Sequence, residues 1–425
     1  MRHLLLLSAL AFFDVVAAKE RVVHVELVND CKLDKVNEPV AIKLADITRQ
    51  TGKPWRTVVR KDGKVVPCQL DDMDGDFVPD ELFFLTDIKS QEKQVFEISL
   101  CDEQAEYRDQ MRYKDGDDLY VALQLRDMSG RHPDVTKVEA PGTTNIFNDI
   151  YMHGITLESE MVGYRIYFDE RQNIDLYGKC QRRIELPVTQ FYTSSEQLAN
   201  GYGVDVLWAG KSIGCGSFKR YDGVSPVNWS NVGVRGQRIV TTGPLRTIVE
   251  VYDLHNTYDD GASGDKYYNV RQLYTLVKGH RDMRVDVSFD NAGGLQFCTG
   301  VQKVGVEAED SVRRGHTPSG FVREDGVAAS WGCDYPDMGK KQMWAPEAIG
   351  LSVYVPKRFV RKYYEDTLNY LLVVDGCDNG AFHYYVSFCA DKEQAEGCHS
   401  STEWFADIET WKEKVSIPLK TKIKK

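Results

Sequence analysis

The segment MHGITLESEMVGYRIYFDERQNIDLYGK (152–179) contains two runs, YRIYF and IDLYGK, in which every second residue is apolar. That period belongs to strands with one buried and one open face. The five residues DERQN between the runs predict a hairpin. With that loop Phe168 pairs with Ile174 and Ile166 with Leu176 on the apolar face. On the other face Tyr167 is expected opposite Asp175 and Arg165 opposite Tyr177, with Lys179 further along.

The same alternation recurs in RVVHVEL, DLYVALQL, RTIVEVYD, MRVDVSFD, IGLSVYV and FHYYVSF. Helical periodicity is scarce. SSEQLANG (194–201) reads as one short helix with Ser194 or Ser195 as its cap. TEWFADIETWKEKV (402–415) reads as another, because Trp404, Ile408 and Trp411 form one apolar stripe suited to the outside of a sheet. The expectation is an all-β fold with few helices. A small N-terminal β-sandwich covers 19–105, and a large antiparallel supersandwich of two extended sheets covers 115–425. The polar, charged stretch 102–114 separates them, and no short repeat suggests a propeller or solenoid.

The chain opens MRHLLLLSALAFFDVVAAKE, a short basic start, an apolar run and a small-residue site. Residues 1–18 read as a signal peptide cleaved near Ala18, which predicts a periplasmic or secreted protein. The run is too short to span a bilayer, Asp14 interrupts it, and no later stretch is long and apolar enough. With a net charge of −11, a pI of about 5.4 and no basic stripe, nucleic acid is not an expected partner. The ten cysteines are irregularly spaced. Cys377, Cys389 and Cys398 allow one bridge near the end, while Cys298 and Cys389 lie in strand-like runs that suit buried thiols.

Acidic residues crowd DDMDGDFVPDELFF (71–84). Asp72, Asp74, Asp76 and Asp80 have offsets that suit a structural Ca²⁺, although Phe77 stands where such a loop usually has glycine and no glutamate closes it. A plain acidic turn at Gly75 leading into ELFFL is the other reading. Neither makes this stretch catalytic, and no cofactor for chemistry is expected.

Chemistry is better served by the hairpin. Arg165, Asp175 and Lys179 with Tyr167 and Tyr177 form the kind of set that holds a sugar carboxylate and covers a sugar's C–H face. An ordinary solvated sheet face with charge pairs would use the same residue types. His153 precedes the hairpin, and Gly154 beside it allows close approach; it is a candidate base, with Tyr164, Tyr167 or Tyr177 as acid. His280 and Arg281, at a turn, and Trp331, in a predicted loop, are further substrate-binding candidates. Asn228-Trp229-Ser230 is a glycosylation sequon only in a host that glycosylates. There is no G-x-S-x-G elbow, H-E-x-x-H or P-loop.

The segments 153–179, QLANGYGVDVLWAGKSIGCGSFKRYDG, GPLRTIVEVYD, LYTLVKGHRDMRVDVSF, TGVQKV and EAIGLSVYVP resemble the secreted bacterial domain-of-unknown-function family numbered four-eight-six-one, encoded among polysaccharide-degrading genes. The resemblance runs from about Val22 to Val415. It implies a large sandwich like that of galactose mutarotases and polysaccharide lyases, acting on an oligosaccharide. Three functions follow from the residues. The first is β-elimination on a uronate, as a lyase or oligosaccharide dehydratase, which needs a carboxylate partner, a base and an acid. The second is glycoside hydrolysis by paired carboxylates from Glu158, Glu160 and Asp175. The third is glycan binding without turnover.

Overall fold

A computed structural model describes residues 21–48, 56–101, 119–259, 265–305, 316–336, 345–394 and 397–424. The large domain is built on a nine-stranded antiparallel sheet. Its strands run, in spatial order, Ser319–Val322, Val327–Asp334, Glu347–Tyr354, Asn379–Ala390, Met283–Asp290, Asp265–Val277, Arg246–Asp259, Val234–Thr241 and Lys137–Pro141. Two five-stranded sheets contribute to the core beside it. One has the order Val204–Asp205, Ile174–Gly178, Gly163–Tyr167, Ile150–Glu158, Tyr120–Leu125. The other has the order Pro226–Val227, Lys219–Tyr221, Gln296–Gln302, Asn369–Asp375, Val360–Glu365. Alternation explains the layering: in MRVDVSFD, Met283, Val285, Val287 and Phe289 are buried and the residues between them are not. Ile155, Ile166, Ile174 and Leu176 meet Val251, Tyr274 and Val285 of the long sheet and Phe297 and Leu372 of the third in one core. Full burial of each such aliphatic or Phe side chain contributes about 1.5–3 kcal/mol. The expected all-β architecture is present.

The helix Ser401–Ser416 covers the other face of the long sheet. Trp404 and Ile408 are fully buried there, and the Trp404 ring lies where a Cβ on Gly350 would stand. The short helix Ser195–Ala199 carries the expected Ser194 cap, with Gln197 completing a capping box. No helix among the described residues is long and apolar enough to cross a membrane. The expected signal peptide, 1–18, and the connector, 102–114, lie outside the described residues.

The N-terminal unit pairs a five-stranded sheet (Lys420–Lys424, Arg21–Val28, Lys93–Cys101, Arg56–Lys61, Lys64–Val66) with a three-stranded one (Lys35–Lys43, Glu81–Ile88, Cys68–Asp71). The expected division at 115–425 is therefore corrected at its far end. Lys420–Lys424 returns to pair with Arg21–Val28, because the long helix carries the chain back to that open edge. The two units dock through polar and apolar contacts. Asp71 and Glu81 both hold Arg246, whose guanidinium lies 4.4 Å from the Phe83 ring centre, and Phe83 packs on Leu245 and Val277. Part of the acidic stretch is thus an inter-unit clamp.

His280 belongs to the same seam. Its Nε2 lies 2.9 Å from the Asn37 carbonyl and its Nδ1 3.1 Å from Asp282. Both partners only accept, so both ring nitrogens carry protons and the ring is an imidazolium. Although burial opposes the charge, the hydrogen bond to Asp282 and its charge raise the pKa to about 9. Cys377, Cys389 and Cys398 are free thiols, as is Cys298, and Cys389 and Cys398 interact side by side in the core beneath the helix.

Candidate functional site

The hairpin forms with a two-residue change of register. Arg165 faces Asp175, Ile166 faces Ile174 and Gly163 faces Tyr177. A shift of two preserves the faces, so the expected apolar and polar sets stand, but the tip is longer than five residues. Asp169 explains this: its carboxylate accepts from the backbone N–H of Arg171 and of Gln172, with Gln172 in the left-handed region. Those bonds close a local turn that competes with further strand pairing.

The strand Ile150–Glu158 is broken on its other side. Its pairing with Tyr120–Leu125 slips between Tyr151 and Thr156, and Met152 and His153 both have positive φ, 58° and 64°. Each such residue costs about 1 kcal/mol or more and needs support from its surroundings. The support is visible. A Cβ on Gly154 would lie 1.9 Å from the Ile166 carbonyl, so only glycine fits. Gln237, buried on the long sheet, accepts from the Ile155 N–H at 2.9 Å and donates to Ile166 O at 3.0 Å. The bulge re-aims one side chain, that of His153.

The His153 ring stacks on Phe147 with centroids 4.1 Å apart, and Nδ1 lies 3.0 Å from the Phe147 carbonyl oxygen. A carbonyl only accepts, so Nδ1 holds the proton and Nε2 presents a lone pair when the ring is neutral. Desolvation first, and then the charges of Arg165 and Arg126, hold its pKa below the ordinary histidine value against the hydrogen bond to Phe147. The result is a half-buried neutral imidazole.

Arg165 corrects one expectation. It is buried, and its fork is already used: Nε and Nη2 hold Asp175, Nη2 also reaches the Tyr167 hydroxyl at 2.9 Å, and Nη1 reaches the Tyr192 hydroxyl at 3.2 Å. Asp205 lies 3.7 Å away, and the guanidinium sits 4.5 Å from the Phe191 ring. The pairing directly opposite Asp175 is the physical reason; a fork so occupied positions its neighbours and does not receive a substrate carboxylate. Burial and then the Asp175 charge raise the Asp205 carboxyl, with Arg165 opposing. The Tyr167 phenol is raised by the same two causes and stays protonated. Tyr192 is 53% exposed, and its ring stands edge-on to His153 at 6.4 Å. Because its oxygen accepts from Arg165, its own proton is free to be given. Arg171 covers Tyr167 and Phe147 while paired to Asp169, and exposed Arg126 lies over Tyr151.

The other expected residues lie elsewhere. Tyr164 faces the core and donates to the Arg281 carbonyl at 2.5 Å. Tyr177 is buried, donating to Thr189 at 2.8 Å beside Glu185. Lys179 is enclosed with Glu158 at 2.6 Å and donates to the carbonyls of Ser159 and Arg183, so it braces the segment that carries Tyr192. Burial raises the Glu158 carboxyl and lowers the Lys179 ammonium. Arg281 pairs with Glu393, and Trp331 is buried in a strand under the long helix, not in a loop. His280 is in the inter-unit seam described above.

In the acidic loop, Asp72, Asp74 and Asp80 each offer a carboxylate oxygen within 4.8 Å of the others'. Asp76 departs from the expected set, since its carboxylate is not in that group; all four carboxylates accept backbone N–H groups within the loop. Phe77, where glycine was expected, is in the left-handed region (φ 66°). Such an all-oxygen donor set suits a hard cation.

His153 thus stands beside Phe147 and Tyr192, with Arg165 holding the Tyr167 and Tyr192 phenols and Arg171 over the Phe147 and Tyr167 rings. The chain itself belongs to the family described as Domain of unknown function (DUF4861), whose model matches residues 27–421. Among curated proteins no match was found. Among solved structures it is similar to an alpha-mannosidase from Enterococcus faecalis V583, at 9% identity and a TM-score of 0.46, over 95% of this chain and 46% of that one. It is also similar to a putative aldose 1-epimerase from Klebsiella pneumoniae (7% identity, TM-score 0.24, 71% of this chain and 87% of that one). A polysaccharide lyase is a third, at 13% identity and a TM-score of 0.19, over 66% and 34%. The chain spans about half the length of the mannosidase.

Proposed function

We propose that this protein is a secreted or periplasmic enzyme that acts on uronate-containing oligosaccharides by β-elimination, as a lyase or dehydratase. The observation that carries the proposal is His153, whose proton is committed to Phe147 and whose Nε2 has no partner among the described residues, set edge-on to the exposed phenol of Tyr192. Nε2 removes the proton at C5 of the uronate. The C4–O bond breaks, its former C5–H electron pair becomes the C4–C5 double bond, and Tyr192 protonates the departing oxygen as water or an alcohol. Exposed Arg126, whose charge acts on His153, neutralises the carboxylate; Arg171 stays with Asp169, and Arg165 keeps Tyr167 and Tyr192 in place. The test is turnover of glucuronate- or iduronate-terminated oligosaccharides, read as ultraviolet absorbance of the 4,5-unsaturated product. No absorbance change with any of them rejects the reading.

A second reading is glycoside hydrolysis. It rests on Asp175 and Asp205, which share Arg165 while Asp205 is held towards its protonated form. New reducing ends without absorbance would select it. Glu158, locked to Lys179 and to the N–H groups of Glu185 and Leu186, is unsuited to that role. For the acidic loop we propose a structural Ca²⁺ on Asp72, Asp74 and Asp80, remote from the chemistry.

A further inference from the structure

Trp208 follows Asp205 by three residues, in a segment without regular secondary structure, and is 44% exposed. Trp229, Trp331 and Trp404, by contrast, are buried. An exposed indole in a loose segment would ordinarily be mobile, but this one is held. The backbone N–H of Trp208 donates to Asp334 Oδ2 at 3.2 Å, and its backbone carbonyl accepts from Gln302 Nε2 at 3.3 Å. The same Gln302 amide donates to Asp334 at 3.0 Å, and the Ser212 hydroxyl donates to Gln302 Oε1 at 2.6 Å. Ser212, Gln302 and Asp334 are all buried. On either side Leu207 and Ala209 turn inward. Buried polar groups on three separate segments thus fix both backbone groups of one residue whose side chain faces out. The indole N–H has no hydrogen-bond partner among the described residues.

The segment leads away from Arg165. Asp205 lies 3.7 Å from Arg165, and its other oxygen accepts from the Leu207 N–H at 3.2 Å. Three residues of chain reach at most about 10 Å, so the Trp208 backbone lies within that distance of Asp205. Tyr192, which also contacts Arg165, is the exposed ring beside His153.

We infer that Trp208 is a stacking platform for a further sugar ring of the same oligosaccharide, the third counted from the uronate bound at His153. A flat ring with an apolar face and a free polar edge matches the C–H face and equatorial hydroxyls of a pyranose. The fixed backbone means that little ordering entropy is lost on binding. This inference rests on the reading that an acidic oligosaccharide binds at His153, and it sets the preferred substrate as an oligosaccharide longer than a disaccharide.

The test is calorimetric binding of oligoglucuronates of two and four units to the wild type and to Trp208→Ala, each in a His153→Ala background that stops turnover. The wild-type platform should bind the tetrasaccharide more tightly than the disaccharide. Trp208→Ala should weaken the tetrasaccharide about three- to tenfold, with a much smaller effect on the disaccharide. Trp208→Phe should restore most of the difference. Unchanged tetrasaccharide affinity in Trp208→Ala overturns the inference, as does an equal loss for both lengths. Turnover is read separately with the His153 enzyme. If no unsaturated product forms but the length-dependent loss persists, the elimination reading falls and the platform stands. If product forms and no length dependence exists, the platform falls alone.

Discussion

His153 Nδ1 lies 3.0 Å from the carbonyl oxygen of Phe147, on whose ring the imidazole also stacks. One residue therefore sets both the tautomer and the plane of the proposed base. Desolvation and the Arg165 and Arg126 charges keep the ring neutral to lower pH than usual. Because the neutral form is the active one, the pH profile should be flat near neutrality and fall on the acid side, below the ordinary histidine value. His153→Ala should lower kcat by roughly 10²-fold or more. A folded, fully active variant, judged by circular dichroism and product absorbance, rejects the assignment.

Tyr192→Phe removes the free phenol proton and the acceptor for Arg165 Nη1, and leaves the ring. The expected loss is about 10²-fold in kcat with the melting temperature nearly unchanged, since the residue is more than half exposed. Substrates with a better leaving group should suffer less. An equal loss across leaving groups would make Tyr192 a positioning residue only.

Arg165→Lys keeps one charge and loses the fork that serves Asp175, Tyr167 and Tyr192 together. Because the site is buried, destabilisation on the order of 3 kcal/mol is expected from denaturant unfolding. If stability is unchanged while binding of the uronate falls, the guanidinium meets substrate after all.

His280 makes stability pH-dependent. Its folded pKa is raised from 6.5 to about 9, so its contribution is fully present below pH 6.5 and is lost as pH rises through about 9. The melting temperature should decline between pH 7 and 9.5. His280→Gln, which does not titrate, should flatten that slope. A wild-type slope unaltered by the substitution would assign the loss to other groups.

For the acidic loop, added calcium should raise the melting temperature and a chelator lower it, with activity at low temperature retained. Asp74→Ala should abolish the response. A melting curve indifferent to calcium in the wild type identifies a plain turn.

Alternation made the sheets legible, since a period of two needs only neighbouring residues; the faces of Tyr164–Tyr167 and Ile174–Tyr177 and the stripe of the Trp404 helix follow from it. The hairpin register was off by two because Asp169 competes for backbone N–H groups at the tip, which residue polarity alone does not reveal. Polarity also misled about depth: Arg165 and Lys179 look solvated until the segment 179–205 folds over them. Tyr192 and Asp205 were missed because they reach Arg165 from outside the hairpin, and no local pattern joins FYT or VDV to YRI. The inward Asp205 between two buried valines was the available signal. Two consecutive left-handed residues at Met152 and His153 have no signature in sequence beyond the adjacent glycine.

The strand Lys420–Lys424 seals the edge of Arg21–Val28. During synthesis the first strand is therefore made long before its neighbour. The N-terminal sheet must wait, one margin open, until residues 420–424 have been made about 400 residues later, and that closure is non-local. In the meantime, the unpaired margin is a place where a second nascent chain can add itself. A protein lacking residues 420–424 would keep that exposure permanently, so this strand, far from the proposed chemistry, acts as the guard against misassembly.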